Sequence, residues 1–288
     1  MNVFITGATG FIGKRLIELI EKDTRFENIY CLCRKETAFS SNIKIITGSL
    51  EDLHKLPPVK ADICLHLAAV TDSASSDKRD IFRINAEGTE QVVEFCKRSG
   101  IPEIVFLSSV NVYLKKKYSY ALSKLSAEDC IKNSGLDYSV LRCTHVYGPG
   151  CPSFDKILRF ADIFHMIPVL GSGTSYKQPI YIDEICNEII SHTFSAKENT
   201  VCDVYGKTKM TYNEMLRAIL RAANKKALIL HLPSAPFLLL SELCYKFNLP
   251  FPVYPEQISH MREDLCAKEA LSSSDLAEFN DNLRKYIN

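Results

Sequence analysis

The chain has 288 residues, 46% hydrophobic and 24% charged, with 35 Lys and Arg against 34 Asp and Glu and a formal net charge of +1. That length buries a sizeable core, as one large α/β domain or a domain with a small lobe. The balanced charge argues against a general electrostatic affinity for nucleic acid or an anionic membrane, so small, specifically held ligands are expected. Eleven cysteines without a CxxC pair point to free thiols in a reducing cytosol, with no metal site. No signal peptide is seen ahead of the first strand, and the apolar run 237–243, interrupted by Ser241 and Glu242, is too short to span a membrane. A soluble, cytoplasmic protein is therefore expected.

The first predicted element is a strand over 2–6. Thr6 to Gly13 follow it directly, reading Thr-Gly-Ala-Thr-Gly-Phe-Ile-Gly. Gly7, Gly10 and Gly13 permit a tight turn, close approach of backbone to a pyrophosphate, and close packing of a helix on its strand. Phe11, Ile12, Leu16, Leu19 and Ile20 recur at helical spacing, so a helix should present its free N–H groups to phosphate. This is the pattern of a dinucleotide site. Further strands are expected over 29–33, 43–47, 62–66, 103–107 and 138–142, with amphipathic segments between most of them, the rhythm of a parallel sheet. Ligands then bind at the carboxyl ends of the strands. Beyond Gly150 the elements shorten between glycines and prolines, which suggests a second lobe interleaved with the last strands and no clear linker. Lys115, Lys116 and Lys117 form a charge run expected in a solvated loop.

Tyr120 and Lys124 stand four apart in Tyr-Ala-Leu-Ser-Lys, within a predicted helix over 118–133, and should share a face. A phenol with pKa about 10 is a poor acid or base at neutral pH, but a neighbouring ammonium and a nicotinamide cation favour its phenolate. Ser109, at the end of the 103–107 strand, would offer a hydroxyl to a substrate carbonyl, with Ser108 the near alternative. His66 and His145 read as hydrogen-bonded structural histidines, Arg142 as a loop anchor, and Cys143 and Cys151 as unreactive thiols.

These pieces together resemble the short-chain dehydrogenase/reductase superfamily, in its extended, nucleotide-sugar epimerase/dehydratase branch. The residues that carry the resemblance are the motif at 6–13, His-Leu-Ala-Ala at 66–69, Asn-Ala-Glu-Gly-Thr at 85–89, Leu-Ser-Ser-Val-Asn-Val-Tyr at 107–113 and Tyr-Ala-Leu-Ser-Lys at 120–124. Val-Tyr-Gly-Pro-Gly at 146–150 and the stretch through Pro-Ile-Tyr-Ile-Asp-Glu at 179–184 complete it. The resemblance is good over 1–190 and weak afterwards. It implies a Rossmann-like doubly wound parallel sheet with a small C-terminal substrate-binding lobe. A cofactor domain with the catalytic residues would cover 1–165, and a mixed region completing the sheet and forming the lobe would cover 166–288.

It further implies Ser109, Tyr120 and Lys124 as the catalytic set, Ser109 being aligned by its distance from Val112 and Tyr113. Gly7, Thr9, Gly10, Phe11, Ile12, Gly13, Ser49, Leu50, Leu67, Ala68, Ala69, Asn85, Tyr120 and Lys124 would hold the cofactor, Lys124 through the nicotinamide ribose. Val70, Ser108, Ser109 and Lys177 would face the substrate. Two departures stand out. Arg34 and Lys35 occupy the place where NAD-using members carry Asp, which favours NADP(H) over NAD(H), because two cations suit a 2′-phosphate. Ser49 stands where an Asp commonly meets the adenine amino group.

The reaction implied is hydride transfer between nicotinamide and a secondary alcohol or ketone carbon, the substrate being a nucleotide sugar, with Tyr120 as general acid/base. Dehydration is disfavoured, since Val110 and Asn111 replace the Asp-Glu pair of dehydratases. NADPH-dependent reduction of a non-sugar ketone or aldehyde stays open. So does a non-catalytic cofactor-binding subunit, whose support is the apolar stretch 232–240 with 249–252, although such a stripe more often packs as core. The resemblance also implies a homodimer joined through helices over 77–99 and 118–133.

Overall fold

The structure, a computed structural model, describes residues 1–35, 39–40, 43–71, 78–195, 198–247, 249, 251–268 and 276–287. Asp77, the expected start of one dimer helix, and Pro250 in the apolar stretch lie outside the described residues. The chain runs through β1 (Asn2–Thr6), α1 (Phe11–Ile20), β2 (Asn28–Cys33), β3 (Ile43–Thr47), β4 (Ile63–His66) and α2 (Lys78–Phe82). A π-helical turn (Arg83–Glu87) leads to α3 (Gly88–Ser99), β5 (Glu103–Ser109), α4 (Ser119–Lys132) and β6 (Asp137–Cys143). There follow β7 (Val146–Tyr147), α5 (Pro152–Phe164), β8 (Met166–Leu170), β9 (Tyr176–Lys177), β10 (Ile180–Tyr181), α6 (Ile182–Phe194), β11 (Thr200–Val204) and β12 (Met210–Thr211). Then come α7 (Tyr212–Ala222), β13 (Leu228–Leu232), α8 (Ser234–Lys246), α9 (Pro255–Arg262) and α10 (Ala277–Ile287).

Seven strands form the central sheet in the order β11-β6-β5-β4-β1-β2-β3. β1 pairs in parallel with both β2 and β4, and the parallel pairing continues from β2 to β3 and from β4 to β5. Chain order therefore reverses at β1, which makes its carboxyl end the switch point where ligands bind in doubly wound sheets. All four residues of β4 and all seven of β5 are buried, because a central parallel strand is covered on both faces and needs no polar alternation. Phe4 of β1 and Phe95 of α3 pack with ring centroids 4.9 Å apart and planes tilted by 39° in this core.

Two compact units divide the chain. One comprises Met1–Val112, Ser119–Arg142 and Asp183–Cys202; the other comprises Tyr113–Tyr118, Cys143–Ile182 and Asp203–Asn288. In the first, α3 ends at Gly100, whose φ of 67° is the left-handed conformation that stops a helix. In the second, α7 starts at a capping box in which Thr211 and Glu214 satisfy each other's backbone N–H. β8 and β13 pair in parallel there as a separate ribbon.

The apolar stretch after Leu232 is a correction to the sequence reading. It forms α8, but Leu239, Leu240 and Leu243 are exposed rather than packed as core. The helix is apolar around most of its circumference; Ser241 is buried, donating to the Val253 carbonyl at 2.6 Å. Composition could not tell which side would be covered. The free cysteines are buried or half-buried, and burial pushes the Cys31 thiol up to about 12. No helix among the described residues is long and apolar enough to cross a membrane.

Candidate active site

The residues expected to hold cofactor and to move protons all lie in the first unit, whereas Lys177, expected to face the substrate, lies in the second. Gly7 leaves β1 with φ of 79°, and a Cβ there would stand 2.6 Å from the Ala68 nitrogen. The turn therefore packs directly on the backbone of Leu67 and Ala68. The Gly10 N–H donates to the Gly7 carbonyl at 3.0 Å, and a Cβ on Gly13 would lie 2.1 Å from that same oxygen. No side chain larger than hydrogen fits at either end of the turn.

Thr9 and Gly10 are exposed, and Phe11 and Ile12 are half-buried. The first turn of α1 has no acidic residue and no side-chain cap. Its N–H groups are thus left for an anion, so this cradle fits a dinucleotide diphosphate. Gly13→Ala should cost about 1–3 kcal/mol by overpacking and weaken binding of the reduced nicotinamide cofactor, read from a thermal midpoint and a fluorescence titration. A variant equal to wild type in both would show that the close approach is dispensable.

Behind the turn runs a buried chain of hydrogen bonds whose donors can be assigned. The Thr89 hydroxyl donates to the Asn85 carbonyl at 2.6 Å, so it must accept from His66 Nε2–H at 2.9 Å. His66 Nδ1 is then the acceptor of the Thr6 hydroxyl at 2.6 Å, and Thr6 in turn accepts the Ala68 N–H at 3.4 Å. His66 is neutral in this arrangement. Burial, with the charge of Lys124 adding to it, pushes its pKa down to about 3.

The Asn85 side chain clasps Val70 on both backbone groups, accepting its N–H at 2.7 Å and donating to its carbonyl at 2.8 Å. It also donates to the Ser123 hydroxyl at 3.0 Å. Ser123 passes its own proton to the Tyr120 carbonyl at 2.8 Å. The end of β1, the segment after β4 and the Tyr120 turn of α4 are held as one piece. Asn85 is buried and positions its neighbours. Thr6, Thr89 and Ser123 lie inside the motifs at 6–13, 85–89 and 120–124 but were given no role from the sequence.

Tyr120 is half-buried in the first turn of α4. One turn on, Lys124 is 2% exposed, its ammonium donating to the Leu107 carbonyl at 2.7 Å and lying 4.3 Å from the Phe106 ring centroid. Ser109, the last residue of β5, is buried and accepts the Asn111 N–H at 3.2 Å. Ser108 points elsewhere. Its hydroxyl donates to Glu128 at 2.6 Å, and the same buried carboxylate takes Arg142 at 2.6 and 2.9 Å and Lys132 at 3.2 Å. Burial alone would raise the Glu128 pKa, but Arg142, Ser108 and Lys132 outweigh it and hold the carboxyl below its ordinary value.

At the adenosine end, Arg34 and Lys35 follow β2 and are exposed. The Ser49 hydroxyl donates to Asp52 at 2.6 Å, with its N–H on the same oxygen at 3.0 Å. These bonds bring the Asp52 pKa down to about 2. A carboxylate thus stands beside Ser49 after all, from three residues downstream. Leu50 is buried in the core, so close to Gly88 that a Cβ there would meet it at 2.7 Å. Lys177 lies in the second unit, buried, its ammonium donating to Ser175 Oγ at 2.8 Å and to the carbonyls of Glu263 at 2.7 Å and Tyr176 at 3.3 Å. Among the described residues no cluster of three or more His, Cys, Asp or Glu could hold a metal ion.

A sequence model of the NAD dependent epimerase/dehydratase family matches residues 3–201. The chain is 26% identical over 268 residues to N-acetyl-alpha-D-glucosaminyl-diphospho-ditrans,octacis-undecaprenol 4-epimerase of Escherichia coli O157:H7, covering 85% of this chain and 78% of the relative. Among solved structures, UDP-N-acetylglucosamine 4-epimerase from Methanobrevibacter ruminantium M1, in complex with UDP-N-acetylmuramic acid, superposes with a TM-score of 0.74. It is 21% identical, with 99% of this chain and 96% of that one covered. UDP-glucuronic acid 4-epimerase from Bacillus cereus, in complex with UDP-glucuronic acid and NAD, gives a TM-score of 0.72 at 20% identity, with 100% and 98% covered.

Proposed function

The chain belongs to the NAD dependent epimerase/dehydratase family, and from that premise we propose that it is a redox-neutral 4-epimerase of a diphosphate-linked sugar, working on NAD. The observation that carries this reading is the grouping in one unit of the glycine turn after β1, Ser109 at the end of β5, and Tyr120 with Lys124 on α4. When bound, the nicotinamide supplies the hydride acceptor and donor. Tyr120 takes the proton of the sugar hydroxyl as its carbon is oxidised and returns it when the carbon is reduced on the other face. The Ser109 hydroxyl orients that oxygen, and the Lys124 charge favours the phenolate.

The expectation of NADP(H) yields to NAD here. A similar solved structure is named in complex with NAD, and Arg34, exposed with Lys35 after β2, can as well stack on an adenine as bind a 2′-phosphate. The relatives' names place the sugar on UDP or on a polyprenyl diphosphate; both put a diphosphate next to the anomeric carbon. A homodimer through α3 and α4, and the cytoplasm as its compartment, belong to the same reading. The first is supported by Leu122, exposed on α4, the second by the free thiols.

Arg34 and Lys35 favour one second reading, an NADPH-dependent reductase. The test separates the two. Purified protein is denatured and its released nucleotide identified, and the native protein is incubated with UDP-N-acetylglucosamine and UDP-glucuronic acid while the products are resolved for the C4 epimer. Retained NAD with an epimer formed and no added cofactor is the expected result. No retained nucleotide, together with oxidation of NADPH by keto-sugars, would replace the epimerase with a reductase.

A further inference from the structure

Two features of the sequence find no use in the active site: the lysine run 115–117 and the apolar stretch after Leu232. The second unit brings them together. On α8, Leu239, Leu240, Leu243 and, just past its end, Phe247 are exposed by 72, 48, 52 and 61%. Their spacing places them along one side of the helix, over a length of about 12 Å. Pro236 is exposed one turn before Leu239 and Leu240.

The helix carries two charges, Glu242 and Lys246. Glu242 is turned aside to Lys116 Nζ at 2.6 Å and the Tyr118 hydroxyl at 2.8 Å, so the apolar stripe itself bears no acid. Tyr118 also packs edge-on against Tyr245 at 5.5 Å between centroids. These contacts fix the lysine run beside the stripe. Lys115 and Lys116 are exposed there, and Lys246 is exposed next to Phe247 at the helix end. Glu263 accepts the Lys115 backbone N–H at 2.9 Å. A near-neutral whole chain thus hides a local asymmetry, an aliphatic ridge edged by lysines.

We propose that α8 docks on the surface of an anionic lipid bilayer. The ridge would enter the acyl boundary, with Lys115, Lys116 and Lys246 at the level of the phosphate groups. A helix with an aliphatic face and a lysine margin lies in the plane of such an interface, and its lysines are drawn to the negative surface potential. The lysine margin selects this occupant over a second copy of the chain, which would bring like charges together around the ridge. Docking would favour the lipid-borne form of the two diphosphate carriers above. That extension rests on the proposed function; the docking itself does not, and its test reads binding without turnover.

The experiment is flotation of the full chain with phosphatidylcholine vesicles, with and without phosphatidylglycerol, accompanied by sedimentation velocity without lipid. Wild type should float with the anionic vesicles, less so at high salt, and weakly with the neutral ones. Leu239→Ser with Leu243→Ser should lower binding by about tenfold or more at a thermal midpoint little changed, since both side chains are more than half exposed. Lys115→Ala with Lys246→Ala should cost about fivefold per lysine. The proposal is overturned if wild type stays unbound on anionic vesicles, or if the leucine variant floats as wild type does. It is equally overturned if wild type is a dimer that the leucine variant dissolves in the absence of lipid, because a second copy would then cover the ridge.

Discussion

Tyr120→Phe is expected to keep NAD bound and to lose turnover by about 10²–10⁴-fold. The substitution removes one oxygen from a half-buried side chain. The bond that ties this turn of α4 to Asn85 runs through the Tyr120 carbonyl and the Ser123 hydroxyl, so the backbone position survives the change. What disappears is the hydroxyl proposed to take and return the substrate's proton. The loss should fall on kcat rather than on KM, since the phenol contributes to the transition state more than to the bound ground state. Turnover near that of wild type, with the nucleotide still retained, would remove Tyr120 from proton transfer and leave Ser109 to be tested in its place.

The largest effect on stability is expected at Glu128. Its carboxylate is fully buried and takes four donor contacts, two from Arg142 and one each from Ser108 and Lys132. Glu128→Ala leaves a mostly buried guanidinium without its counter-charge, which costs about 3–5 kcal/mol. At about 2–4 °C per kcal/mol the thermal midpoint should fall by roughly 10 °C. A double variant, Glu128→Leu with Arg142→Met, should recover most of that loss, because replacing both members of a buried pair by apolar groups avoids the stranded charge. If the double variant melts no higher than Glu128→Ala, the cost lies in packing and not in the ion pair. The pH dependence has a definite sign. The carboxyl is held below its ordinary value in the fold, so its contribution is complete above that value and is lost as pH falls through the lowered one.

Much of the first unit was legible because its signals are local. The glycine turn, the amphipathic α1 and the continuous apolar runs of β4 and β5 encode their elements through spacing alone, and the expected strand over 2–6 and helix over 118–133 correspond to β1 and α4 within a residue at each end. Tyr120 and Lys124 share a helix face by the same arithmetic. The preference for NADP(H) came from two residues after β2 and did not weigh Asp52, which folds back onto Ser49 through a short turn.

Up to the strand at 138–142 the sequence by itself determined the strands, their order and the cofactor turn, since each is fixed by contacts within a few residues. Only the tertiary structure decided where neighbouring side chains went. Ser108 and Ser109 are adjacent on one strand, where successive side chains face opposite ways, and it is Arg142 and Glu128 that make Ser108 part of a buried ion-pair cluster. His66 is a neutral link because Thr6, 60 residues earlier, and Thr89, 23 later, close on its two nitrogens. Lys177 is a buried post because Glu263, 86 residues on, offers it a carbonyl. The apolar stripe of α8 is left uncovered by the fold because the helix has one packed side and enough leucine for two. Periodicity records which residues share a face; burial depends on what distant chain arrives to cover it.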